Sequence, residues 1–181
     1  MQRRTRLVVT VGVVGVIAAV IFKPWLLFVN VRVDDVLPTV AATSTVATTA
    51  VPQDPAAKTP RVPSGPIQLA EGVFISHEHQ TSGTVRIIQQ PDGSRVLTLE
   101  NLETSNGPDV HVWLSAAAVV EGSNGWFTAG SAAFVDLGVI KGNQGNQVYQ
   151  IPADLDLSKF QSVSLWCVQF SVSFGAAQLT P

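Results

Sequence analysis

From Ile67 to Pro181, apolar and polar residues alternate in short runs, the period-two signature of half-buried strands. GVFIS opens the series. GTVRIIQQ and SRVLTLENL flank PDG, a hairpin turn signal. DVHVWLS follows the turn NGPD. AFVDLGVI and NQVYQIP flank KGNQGN, whose two glycines permit positive φ in a tight loop. SVSLWCVQFSVSFG, residues 162–175, reads as one strand before the closing AAQL. No helix longer than two turns has an amphipathic period. About eight strands separated by turns predict an all-β fold, an antiparallel β-sandwich of jelly-roll type. The Ala-, Gly- and Ser-rich connection from Ala116 to Ala133 interrupts the series. Within it, residues 116–120 are expected to form one helical turn, with Trp126 and Phe127 tucked against the sandwich.

The pattern upstream is different. Residues 7–22 carry no charge, but sixteen helical residues rise only about 24 Å against a hydrocarbon core of roughly 30 Å. Extension through Pro24, Trp25, Leu26, Leu27 and Phe28 closes the gap, with Lys23 snorkelling and Trp25 at the interface. Residues 7–29 are therefore expected to be a transmembrane signal-anchor helix in contact with the lipid bilayer. Arg3, Arg4 and Arg6 keep residues 1–6 cytoplasmic, which makes the protein single-pass with its C-terminal domain extracytoplasmic. No small-x-small cleavage site follows the apolar run, so the anchor is read as uncleaved. Residues 30–66 are assigned to an extracytoplasmic stalk, in which Leu37 to Pro66, built from Thr, Ala, Val and Pro, have no strand or helix period and too little apolar mass to offset ordering entropy. They are expected to form a disordered stalk, with the part from Leu37 to Pro66 on the order of 90 Å long when extended. The stalk would hold the 67–181 domain away from the bilayer.

Composition removes several classes of function. The chain has 181 residues and one cysteine, so no intramolecular disulfide can form. From Ile67 onward ten carboxylates face four cations, a net charge of −6. Such a domain repels phosphate, and no nucleic acid partner is expected. GNQGN lacks the Lys-Ser/Thr and helix of a phosphate loop. There is no GxSxG, HExxH or paired-cysteine pattern, hence no hydrolase, nucleotide or zinc-enzyme constellation. Asp136, Asp154 and Asp156 lie near turns but lack the dense oxygen-ligand loop of a calcium site.

Four pieces recur in a characteristic order: His79 with Thr81, Ser82 and Gly83; Asn106, Gly107, Pro108 and Asp109; Leu137 and Gly138 with Lys141, Gly142, Asn143, Gln144 and Gly145; and Trp166 and Cys167 with Phe170, Phe174 and Gly175. Together they resemble the DM-thirteen domain, a family labelled as electron transfer. The resemblance covers nearly all of Ile67 to Leu179. It implies a β-sandwich, often found beside DOMON-type haem- or sugar-binding domains, and redox chemistry through its cysteine. No DOMON or cytochrome segment lies within these 181 residues, so the electron donor would be another molecule. A membrane-anchored bacterial member, in a cell-envelope setting, is the reading that fits the whole.

Cys167 is the candidate redox residue. If 162–175 is a single strand, Trp166, Val168, Phe170, Val172 and Phe174 face the core, and Cys167 lies on the other side with Gln169 and Ser171. No Lys or Arg lies within seven residues, so no local cation lowers its pKa. The plain alternative is a small buried hydrophobe. His77 and His79 fall at i and i+2, on one face of a strand. His111 shares a face with Asp109 and Trp113. With Cys167, the three histidines are candidate ligands for copper or iron of mixed N/S ligation. His79 or His111 is also a candidate axial ligand for noncovalent haem. Against a metal, the only methionine is Met1, no histidine follows Cys167, and no CxxCH occurs. The structural alternative has His79 bonding the QTSG turn, His111 on a strand surface and Asp109 capping backbone amides. Gly83, Gly107, Pro108, Asp109, Gly138, Gly142, Gly145, Trp166 and Gly175 are expected to be turn or structural positions.

Two functions stand at this point. One is a redox accessory using Cys167 or a bound cofactor, haem or copper, with a redox partner. The other is a non-enzymatic envelope module that binds an envelope protein or glycan through its loops, with Cys167 only structural.

Overall fold

The structure, a computed structural model, describes residues 29–39 and 65–181. Among the described residues nine strands form in chain order: β1 (Arg32–Asp34), β2 (Ile67–Ser76), β3 (Ser82–Gln89), β4 (Arg95–Glu103), β5 (Val110–Ser115), β6 (Phe134–Val139), β7 (Gln144–Ile151), β8 (Ser162–Cys167) and β9 (Val172–Gln178). They make one mixed sheet of order β1-β7-β4-β3-β2-β9-β8-β5-β6. Only β1 and β7 are parallel. The all-β expectation holds, but two separate sheets do not form. β2 is long enough to serve both halves: Ile67–Val73 pairs with β3 and Phe74–Ser76 with β9. The sheet curls around this shared strand into a half-barrel.

The curl closes one core. Val85 and Ile87 of β3 lie opposite Leu99 and Leu97 of β4, and all four are buried. They meet Val112, Leu114, Val163, Leu165 and Phe174 from the other half. Each such side chain, once buried, contributes roughly 1.5–3 kcal/mol. A smaller cluster lies on the opposite face of β5 and β8, where Trp113 and Trp166 stack at 4.9 Å and Phe134 covers Trp113 at 3.7 Å. The 3₁₀ turns Ser123–Phe127 and Ala129–Ser131 cap this side. They replace the helical turn expected at 116–120.

Residues 162–175 are two strands, not one. A turn at 168–171 joins β8 to β9, with Ser171 at φ 53°. It contains no glycine, proline or asparagine, so the alternation reads straight through it. In β8 the face assignment also inverts, while Val172 and Phe174 of β9 lie in the main core as expected. Leu165 and Cys167 enter the main core, while Trp166 faces the smaller cluster. Both faces of β8 are covered, which a period-two pattern cannot reveal.

KGNQGN is likewise not a hairpin. β6 pairs only with β5, whereas β7 pairs with β4 and β1, so the segment crosses between the halves. Its glycines make room for β1. A Cβ on Gly142 would lie 2.4 Å from the Val31 carbonyl oxygen, and one on Gly145 would lie 2.1 Å from that of Val33. Gly145 also sits at φ +96°, where other residues are strained. Buried Asn143 accepts from the Val31 amide at 2.7 Å and donates to Asn30 Oδ1 at 2.9 Å and the Thr104 carbonyl at 2.8 Å. Asp35 pairs with Lys141 and accepts from the Val148 amide at 2.9 Å, and these contacts hold its carboxyl below the usual range. Residues 29–35 therefore belong to the domain, although the sequence assigns 30–66 to a stalk. Residues 40–64 lie outside the described residues, as do 1–28, where the signal-anchor is expected. Among the described residues no helix is long and apolar enough to cross a membrane.

Candidate functional site

Four segments meet at one end of the half-barrel: 77–81 after β2, 104–109 before β5, the 168–171 turn and the 3₁₀ turns. Phe174 organises them. Its carbonyl accepts from the His77 amide at 3.0 Å, the His79 amide at 3.3 Å and Thr81 Oγ1 at 3.1 Å. Thr81 Oγ1 also bonds Thr104 Oγ1 at 2.8 Å, which ties the first two segments together. The Asp109 carbonyl accepts from the Val168 amide at 2.9 Å and fixes the third.

Between them lies a cleft of about 400 Å³. Pro108, Trp126, Phe127 and Phe170 wall it, and Phe174 forms its floor. His79 lies over the Phe174 ring at 3.9 Å, and its Nε2 meets the Glu78 carboxylate at 2.6 Å. The arrangement is an aromatic slot with one imidazole–carboxylate pair at the rim. Aromatic walls offer π-faces, and the pair can hydrogen-bond a polar edge. The size lies within the range of small-molecule sites. Trp126 is tucked in as expected, whereas Phe127 stays 55% exposed. Glu78 was not singled out from the sequence, although it stands between two histidines in SHEH.

The candidate residues do not converge. β2 ends at Ser76, so the strand rule fails for His77 and His79, and they part company. His77 is buried, with Nδ1 2.8 Å from Ser173 Oγ and Nε2 3.1 Å from the Val120 carbonyl. His111 is held between two carboxylates, Asp109 at 3.0 Å and Asp136 at 2.8 Å. Asp109 thus serves His111 with its side chain rather than capping amides. Cys167 is 0% exposed and belongs to the main core. Among the described residues no three His, Cys, Asp or Glu side chains group so as to hold a metal ion. A copper or iron site of mixed N/S ligation does not fit this donor arrangement. For haem, the cleft lining holds one histidine, His79, whose Nε2 is taken up by the Glu78 carboxylate, and no second His, Met or Cys.

Burial pushes the Cys167 thiol above its ordinary pKa, against the pull of the Phe170, Asp109 and Gln169 backbone amides. The thiolate, not the thiol, is the nucleophile. In the native protein a thiol reagent should therefore label Cys167 only as fast as the domain opens, and the unfolded chain should label at once. Fast, stoichiometric labelling of folded protein would place the thiol at the surface.

Burial also lowers the His77 pKa, partly opposed by the Val120 carbonyl. The folded state then resists protonation more than the unfolded chain does. Stability is full above the ordinary value of 6.5 and falls as pH drops from there towards the lowered folded value. Urea midpoints measured from pH 8 to pH 5 should show this decline, and His77→Gln should flatten it. An equal slope in the variant would assign the decline to other groups.

The match to known families follows this geometry. The family model described as Electron transfer DM13 matches residues 73–179, from the end of β2 through β9. Comparisons with curated proteins and with solved structures give no match. The matched span covers more than half of the sequence and contains the cleft, the three histidines and Cys167 but not β1, and on that match the chain belongs to the Electron transfer DM13 family.

Proposed function

We propose that the protein is an accessory of electron transfer, held at the outer face of a bacterial membrane by residues 7–29, with the aromatic cleft as its working surface. The carrying observation is the slot between Trp126, Phe127 and Phe170 with His79 and Glu78 at its rim. Its best occupant is a planar, conjugated, redox-active molecule. The rings stack on such a molecule's faces, and the imidazole–carboxylate pair hydrogen-bonds its polar edge. The family description supports a redox-related role. The buried Cys167 supports its assignment as a packing residue rather than an electron carrier. Anchoring is supported by the uncharged run at 7–22 and by Arg3, Arg4 and Arg6 before it.

The test uses the full chain in detergent, purified from its own membrane. A visible absorption band is expected that changes on reduction with dithionite. It should vanish in His79→Ala while far-ultraviolet circular dichroism stays unchanged. A colourless, folded protein with no response to dithionite would reject a bound redox molecule. The exposed faces of Phe127 and Phe170 favour a second reading in that event, a non-enzymatic module that stacks a glycan or a protein side chain.

A further inference from the structure

We infer that β1 clasps the membrane anchor to the domain, so that the cleft end rests on the lipid surface with Val139 and Val168 in the headgroup region. This rests on reading residues 7–29 as the membrane span. β1 runs parallel to β7, and β7 begins at the cleft end, where Gln144 follows the crossover. The chain therefore enters the domain at that end. Asn106 Nδ2 donates to the Val29 carbonyl at 3.0 Å, beside the 104–109 wall of the cleft. Val29 is also the last residue of the span read at 7–29, so no spacer separates the span from the domain. Residues 40–64 come after the clasp and cannot act as one.

The surface at this end matches a lipid interface. Val139 and Val168 are exposed, and both belong to segments tied to the start of β5. The Ile140 amide donates to the Val110 carbonyl at 2.8 Å and the Val168 amide to Asp109 at 2.9 Å. At this end Glu78 and Asp109 are paired with His79 and His111 and Arg32 with Asp34, while Glu103, the last residue of β4, is exposed. An end whose charges are mostly paired, with an exposed acid among them, suits zwitterionic lipid rather than anionic lipid. The far end carries Asp92, Asp154, Asp156 and Lys159 and suits water. The cleft then opens at the bilayer surface, and an amphipathic molecule dissolved in lipid reaches it without crossing water.

The experiment places the full-length protein in phosphatidylcholine vesicles. The native thiol is buried, so a cysteine introduced at Val139, Val168 or Ala153 takes a fluorophore selectively. Ala153 reports on the far end, after β7. A quencher is carried on the lipid near the headgroup. Strong quenching at Val139→Cys and Val168→Cys, with none at Ala153→Cys, is expected. Gly142→Val presses directly on the Val31 carbonyl and should displace β1. Quenching at position 168 should then fall towards that at 153, while the protein still floats with the vesicles. If the protein floats but 139 and 168 are quenched no more than 153, the domain stands off the bilayer and the inference is wrong, while the anchor survives. Quenching unchanged by Gly142→Val removes the clasp. A protein that fails to float rejects the anchor itself, and the inference with it.

Discussion

Phe174→Ala should destabilise the domain by about 3–5 kcal/mol and lower the urea midpoint by about 2 M. Phe174 is buried where the core meets the cleft, so its removal leaves a cavity that opens two ways. It takes away the ring under His79 as well as contacts with the main core. The bonds that hold 77–81 run to its backbone and survive the substitution. The loss should therefore appear as lower stability and a looser His79, with the β2–β9 pairing kept. Phe174→Leu fills most of the volume and should recover the larger part of the stability. A Phe174→Ala midpoint within experimental error of wild type would mean that the cleft floor is not part of the core.

Trp166→Ala should cost a similar amount, about 3–5 kcal/mol, through a different part of the molecule. Trp166 is the centre of the smaller cluster. It stacks on Trp113, and Gly130 approaches so closely that a Cβ there would lie 2.5 Å from Trp166 Cζ2. Without the indole, the 3₁₀ turns at 123–131 lose their seat, and with them the Trp126 and Phe127 wall of the cleft. The expected reading is a lowered urea midpoint with collapse of the near-ultraviolet dichroism that the Trp113–Trp166 stack produces. Trp113→Phe is the contrast. Trp113 Nε1 is buried with no hydrogen-bond partner among the described residues, so phenylalanine removes an unmet donor along with some contact area. Its net effect should stay within about 1 kcal/mol. If Trp113→Phe proves as costly as Trp166→Ala, the indole nitrogen has a partner.

The strands with local partners were legible from sequence. β3 and β4 read as apolar runs, although Ile87–Ile88 and Val96–Leu99 are buried on both faces, and PDG between them closes as a turn, with the Gln90 amide donating to the Ser94 carbonyl at 2.8 Å and Asp92 accepting from the Ser94 amide. The features set by distant pairing were not. Val31 finds Asn143 112 residues away, and a three-residue strand carries no period of its own. The glycines of KGNQGN were visible, but the reason for them lies in β1 and not in a hairpin. The turn at 168–171 was hidden because Ser171 takes a positive φ that its neighbours do not announce. The site was legible only in part. His79, Phe170 and Phe174 were among the residues that carry the resemblance, but in separate pieces and with no site joining them. The burial of Cys167 depends on two covering layers, and the separation of His77 from His79 depends on where β2 stops.

The order of β1 and residues 40–64 along the chain changes what proteolysis would do. A cut between 40 and 64 leaves one fragment with the apolar run and β1, and another with β2 through β9. The break severs the covalent path but not the ladder to β7, the Asn143 bonds or the Asp35–Lys141 pair. Shedding then becomes a dissociation equilibrium, not the immediate result of cleavage. Acid would speed it only below the ordinary carboxylate range, where Asp35 takes up a proton and the pair is lost. A nicked copy could also recapture its domain, or exchange it with a neighbouring copy, as a split protein does.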